Sequence, residues 1–275
     1  MPPFTLSEDA WPGSLPTLHR EFLRRAVDDL SRDPRLVGVA AGGSFRTNSL
    51  DAYSDLDLVV VVDPDAWPAI LGEREAIVRP LGSLLAAFTG EHVGEPRLLI
   101  SLYGPPLLHV DFKFVSLADL HPRVEDPVVL WERDSLVSTA LSASTPAYPQ
   151  PNAQWLEDRF WVWVHYLATK IGRGELFEAI DVLTFLRGRV LGPLLLAANG
   201  HTPSGVRRLE AAVPGVLDRL RGTAPIHDRA EIVAALRQTI ALYRDVRPTS
   251  VRRLDDAERE AVRYLDAVAE SEAKG

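Results

Sequence analysis

The chain has 275 residues, of which 46% are apolar and 25% charged. These values suit one or two globular domains and exclude a wholly disordered chain. It has no cysteine, which excludes a disulfide framework, a cysteine nucleophile and a thiolate metal site. Its 30 basic and 38 acidic residues give a net charge of −8, a poor balance for neutralising nucleic-acid phosphates. No apolar run reaches the roughly 18–20 residues that span a bilayer. Met1 to Ser14 has no basic stretch followed by an apolar one, so no secretory signal is read there, and a cytoplasmic location without membrane contact is expected.

Taken in order, Leu15 to Leu30 has helical spacing, with Leu15, Leu18, Phe22, Ala26 and Leu30 on one face. Leu36 to Ala41 reads as a buried strand running into a tight Gly42-Gly43-Ser44 turn. Leu56 to Val62 is a second strand, rich in β-branched residues and closed by Asp63-Pro64. Residues 66–88 read as one or two helices. Arg97 to Tyr103 and Leu107 to Val115 read as a strand pair joined by Gly104-Pro105-Pro106. The proline-rich stretch from Ser142 to Pro151 reads as a linker, since proline disfavours both helix and central strand. Beyond it the spacing is helical throughout: Asn152 to Ile171, Glu175 to Ala198, short helices in 204–221, Glu231 to Val246 and Asp255 to Glu270. Charge divides at the same place. Residues 1–150 carry 21 acids and 12 bases, and the remainder 17 and 18. The expected domains are 1–145, mixed strand and helix, and 146–275, helical.

The chemistry lies between the first two strands. Gly42 and Gly43 permit positive φ and close approach of a ligand, and successive N–H groups in such a turn make an anion nest. Ser44 adds a hydroxyl donor. After ten intervening residues, Asp55 and Asp57 stand two apart at the mouth of a strand, so their carboxylates share a face at roughly 6–7 Å spacing. Two such carboxylates repel unless a cation lies with them, and magnesium favours oxygen ligands and bridges to phosphates. Asp111, in Leu108-His-Val-Asp-Phe-Lys-Phe, is a third candidate if its strand neighbours the first. Three carboxylates together could hold two ions about 3.5–4 Å apart.

This pattern resembles the nucleotidyltransferase superfamily that includes DNA polymerase β: a Gly-Ser turn after a strand, then Asp-x-Asp in a second strand, then an Asp on a later one. The resemblance implies an α+β fold, with a mixed sheet flanked by helices in the catalytic domain and a helical bundle after it. It implies that Gly43 and Ser44 hold a nucleoside triphosphate; Arg46, in the same loop, is a further candidate to reach a phosphate. It also implies that Asp55, Asp57 and Asp111 bind two Mg2+ ions, with Asp111 an alternative proton acceptor.

A second resemblance lies in Asp158-Arg-Phe-Trp161, in Lys170 to Asp181, and in Gly43-Ser44-Phe45-Arg46-Thr47-Asn48, which are similar to parts of aminoglycoside 6-adenylyltransferases. On the helical wheel Trp155, Arg159, Trp163 and Tyr166 share a face with Lys170, a wall suited to a nucleotide or cationic ring, with Lys170 on phosphate. The expected function is Mg-dependent transfer of a nucleoside monophosphate, AMP from ATP, to a hydroxyl of a small molecule, an aminoglycoside-type antibiotic being one candidate. The competing readings are a non-catalytic nucleotide-binding or antitoxin-like protein on the same fold, and an enzyme that nucleotidylates a protein. Glu157, Asp158, Glu175 and His165 are candidate general bases among which the sequence does not select. His109 shares a strand face with Asp111.

Overall fold

The computed structural model describes residues 6–271. Residues 1–5 of the segment read for a signal lie outside them. The chain divides into two compact units, Met1–Ala147 and Tyr148–Gly275.

In the first unit, helix α1 (Thr17–Leu30) leads into β1 (Leu36–Ala41). A single helical turn, α2 (Gly43–Arg46), follows at the Gly-Ser motif, and then β2 (Leu56–Val62) and α3 (Trp67–Val78). Four further strands are β3 (Leu84–Gly90), β4 (Glu95–Tyr103), β5 (Leu108–Ser116) and β6 (Val128–Glu132), before α4 (Leu136–Ser142). They form one sheet of order β3-β4-β5-β2-β1-β6. All pairings are antiparallel except β2 with β5, which is parallel. The α1 residues Phe22, Leu23, Ala26, Val27 and Leu30 are buried with Ile70 and Val78 of α3 against Leu56, Leu58, Val60, Phe112 and Phe114 of the sheet. Each such side chain contributes about 1.5–3 kcal/mol when fully buried. The opposite face carries a smaller cluster, Val37, Val61, Val115, Leu120 and Val137.

The sheet corrects one expectation. Residues 84–88 form a strand rather than the end of a helix. Leu84-Leu-Ala-Ala-Phe88 is built of good helix formers, but Pro80 and Gly82 end the helical run. Hydrogen bonding to β4 outweighs the local preference. Strand β6 and helix α4 have no counterpart in the sequence reading. Val128-Val-Leu-Trp131 is too short to show a period, and its place beside β1 is set by tertiary pairing.

The second unit is helical: α5 (Ala153–Gly172), α6 (Leu176–Leu186), α7 (Gly192–Ala198), α8 (Leu209–Ala212), α9 (Leu217–Arg221), α10 (Arg229–Val246) and α11 (Asp255–Glu270). Asn152 caps α5, its side chain accepting the Trp155 N–H at 2.9 Å. A π-helical turn, Arg187–Leu191, joins α6 to α7 within the one long segment read from the sequence. Phe160 stacks on Tyr243 at 3.7 Å between centroids. Beneath them Glu157 is fully buried and accepts hydrogen bonds from Tyr243 Oη (2.7 Å), Leu254 N–H (3.1 Å), Trp161 Nε1 (3.2 Å) and Arg247 (3.1 Å). Burial alone would raise the Glu157 pKa. The donors from Tyr243, Leu254 and Trp161 and the Arg247 charge outweigh it and hold the carboxyl below its usual range. Glu157 is thus a saturated structural acceptor and not a free base.

Candidate active site

Three local devices hold the acidic pair at the mouth of β2. His19 on α1 is buried, and its Nε2–H donates to Ser54 O at 2.7 Å, fixing the residue before Asp55. Gly42 N–H donates to Asp57 O at 2.9 Å, tying the end of β1 to the start of β2. Gly43 then turns at φ +53°, and a Cβ there would overlap Asp57 Oδ2. The turn therefore lies directly against the carboxylate, which only glycine allows.

The parallel pairing of β2 with β5 sets Asp57 opposite Asp111. Oxygens of Asp55, Asp57 and Asp111 all lie within 4.8 Å of one another, and each residue is partly exposed. Among the described residues this is the group of three or more acids or histidines with metal-ligand spacing. An all-oxygen donor set, carried by carboxylates that would otherwise repel, fits a hard divalent cation such as Mg2+. His109 Nε2 lies 2.9 Å from Asp111 Oδ1, the imidazole N–H donating to the carboxylate. Further along the same row of the sheet, Ile100 stands opposite Asp111 and Phe88 opposite Ile100. Phe88 is 54% exposed and Leu102, beside His109, 37%, so the face beyond Asp111 is open and apolar.

The Gly-Ser turn has a partner that the sequence does not reveal. Gly43 N–H donates to Glu125 Oε1 at 2.8 Å, and Arg46 Nε donates to Glu125 Oε2 at 3.3 Å. Glu125 lies in the loop before β6. Neither periodicity nor spacing marks it, because its partner lies 82 residues away in the chain.

Lys170 belongs to the second unit. Its ammonium is held by Glu175 at 2.7 Å and Glu178 at 3.0 Å, and lies 5.0 Å from the Tyr166 ring centre. The two carboxylates raise its pKa. The face predicted for α5 does form: Arg159 lies 4.1 Å over Trp155, and Trp155 lies 5.8 Å from Trp163. Of the other candidate bases, Glu175 is engaged with Lys170, and His165 packs at 4.6 Å on Tyr264.

Residues 23–93 match the family model described as a nucleotidyltransferase domain. The matched segment runs from within α1 to the turn between β3 and β4. It contains Gly43, Ser44, Arg46, Asp55 and Asp57, and stops before Asp111. No curated protein matches the chain. Among solved structures the chain is similar to an aminoglycoside 6-adenyltransferase from Bacillus subtilis, with 16% identity, a TM-score of 0.37, and coverage of 91% of this chain and 97% of that one. It is also similar to a nucleotidyltransferase-like protein from Exiguobacterium sibiricum, with 12% identity, a TM-score of 0.35, and coverage of 84% and 73%. Among the described residues no helix is long and apolar enough to cross a membrane. The segment that matches the nucleotidyltransferase domain lies wholly within the first unit.

Proposed function

We infer that this protein is a divalent-metal nucleotidyltransferase that moves a nucleoside monophosphate, AMP from ATP, onto a hydroxyl of a small-molecule acceptor. The observation that carries the reading is the convergence of Asp55, Asp57 and Asp111 within 4.8 Å beside the Gly43–Ser44 turn. Aminoglycoside-type antibiotics are one acceptor class, supported by the Gly43-Ser44-Phe45-Arg46-Thr47-Asn48 resemblance and by the acidic balance of residues 1–150. The apolar face formed by exposed Phe88 and Leu102 and partly buried Ile100 suits an acceptor that also presents a hydrocarbon ring.

On this reading Gly43 N–H, Ser44 Oγ and Arg46 bind the triphosphate, and Asp55, Asp57 and Asp111 hold two Mg2+ ions. Magnesium would supply charge screening for the triphosphate and a lower pKa for the attacking hydroxyl. Asp111, oriented by His109, accepts the hydroxyl proton as the new P–O bond forms and pyrophosphate leaves. Lys170 reaches a phosphate only by giving up Glu175 and Glu178, so its part is secondary.

The test is pyrophosphate release from Mg·ATP across a panel of aminoglycosides and other hydroxylated antibiotics. Release by the wild-type protein is expected, abolished by EDTA and lowered about 1,000-fold or more in Asp57→Asn, which removes a metal-binding charge. Turnover that survives Asp57→Asn overturns the metal-site assignment. Tight Mg·ATP binding with no release across the panel favours a non-catalytic nucleotide-binding role.

A further inference from the structure

The groups that the proposed function assigns to phosphate already hold an anion. Glu125 Oε1 accepts the Gly43 N–H at 2.8 Å, and Oε2 accepts from Arg46 Nε at 3.3 Å. A Cβ built on Gly42 would lie 3.1 Å from Glu125 Oε1, so the carboxylate is pressed against the open side of the glycine turn. Two groups expected to receive phosphate oxygens are thus engaged by the two oxygens of one carboxylate.

The placement is built into the fold. Two residues earlier, the Arg123 side chain is 9% exposed and donates to Leu120 O (3.0 Å), Leu141 O (2.7 Å) and Ser144 O (2.6 Å). Arg123 O accepts the Ala147 N–H at 2.9 Å. The loop backbone is therefore fastened on both sides, and it presents Glu125 to the turn from a fixed base. The Glu125 side chain itself is 36% exposed and has three rotatable bonds, so its carboxylate can swing into solvent without moving the Arg123 anchor.

A carboxylate and a triphosphate cannot share these donors. Both need the same N–H, and like charges at contact distance repel strongly where solvent is partly excluded. We propose that Glu125 is a resident anion on the phosphate cradle, displaced by the incoming triphosphate, and so a determinant of nucleotide affinity. It keeps the Gly43 amide and the Arg46 guanidinium satisfied and oriented while no nucleotide is present. Its departure releases both for phosphate. The fraction of molecules with Glu125 swung out scales the apparent affinity, as for any ligand that binds a minor conformer. The inference rests on the reading that this turn binds nucleotide.

The test is calorimetric titration of the full chain with Mg·ATP, in the wild type and in Glu125→Gln. Glutamine keeps an oxygen able to accept from Gly43 but carries no charge. Binding about tenfold tighter in Glu125→Gln is expected, because the competitor for the cradle is weakened. A group that merely braced the turn would give the opposite sign, so weaker or unchanged binding in Glu125→Gln overturns the proposal. Should that variant fail to fold, Glu125→Asp carries the same expectation, since the shorter side chain withdraws the carboxylate from Gly43. Asp57→Asn is titrated in parallel. If wild type binds Mg·ATP and Asp57→Asn binds it more weakly while Glu125→Gln is unchanged, the nucleotide reading stands and only the displacement fails. No binding by wild type, Glu125→Gln or Glu125→Asp overturns both. Binding by Glu125→Gln alone is the extreme form of the expected result.

Discussion

Gly43 and Asp57 lie so close that no side chain fits between them: a Cβ on Gly43 would overlap Asp57 Oδ2. The contact joins the turn after β1 to the second acid of β2, and so couples the proposed phosphate cradle to the acidic cluster. Gly43→Ala must move the turn or the carboxylate, and also strains a backbone at φ +53°. A 1 Å displacement of a catalytic group costs about 100-fold in rate, so a loss of at least that size in kcat/KM is expected. Gly94 is the control. Its φ is +76°, but a Cβ there meets nothing within 4 Å. Gly94→Ala should lower stability by about 1 kcal/mol while transfer activity persists. Equal loss of activity in the two variants would show that backbone strain, and not the Asp57 contact, is responsible.

The buried Glu157–Arg247 pair makes a prediction about the helical unit. The Glu157 side chain is fully buried, and that of Arg247 is 7% exposed. Arg247→Met leaves a buried carboxylate without its charge partner, which costs about 3–5 kcal/mol. Tyr243→Phe removes one donor of several and should cost about 1–2 kcal/mol. Urea unfolding followed by tryptophan fluorescence reads both, because Trp161 lies in the same network. Similar midpoints for the two variants would mean that the ion pair adds nothing beyond a neutral hydrogen bond.

Acid should weaken the first unit through Glu95. Hydrogen bonds from Arg97 (2.8 Å) and Lys113, also 2.8 Å away, set against partial burial, hold its carboxyl down at about 2. The folded pKa is below the unfolded one, so the stabilisation is fully present above about pH 4.5 and is lost as pH falls towards 2. Both cations are about a third exposed or more, so the effect is about 1–2 kcal/mol after allowing for solvent screening. Glu95→Gln should flatten the stability profile between these pH values. An unchanged acid limb would place the proton uptake elsewhere.

Much of the site is legible because its parts are local. Leu36–Ala41 and Leu56–Val62 are apolar, β-branched runs bounded by turn residues, and both strands occupy those spans. Asp55 and Asp57 share a face because a strand alternates every two residues. Residues 84–88 mislead because the local preference of Leu and Ala for helix is a few tenths of a kcal/mol per residue, which pairing with β4 easily exceeds. Lys170 illustrates another limit. It is one of only three lysines among 30 basic residues, which draws attention to it, but the sequence gives no sign that Glu175 and Glu178 would share its charge.

The sequence by itself determined the two strands, the Gly-Ser turn, the Asp-x-Asp pair and the change to helix beyond the proline-rich stretch. Each is set by φ/ψ preference or by a side-chain period within a few residues. Only the tertiary structure decided that Asp111 joins the pair, because that depends on parallel pairing between strands distant in the chain. It alone decided that Glu125 lies on the Gly43 amide, because an anchor at Arg123 carries a loop across to the turn. Contacts of this kind follow from which surfaces bury one another, a property of the whole chain that no short window contains.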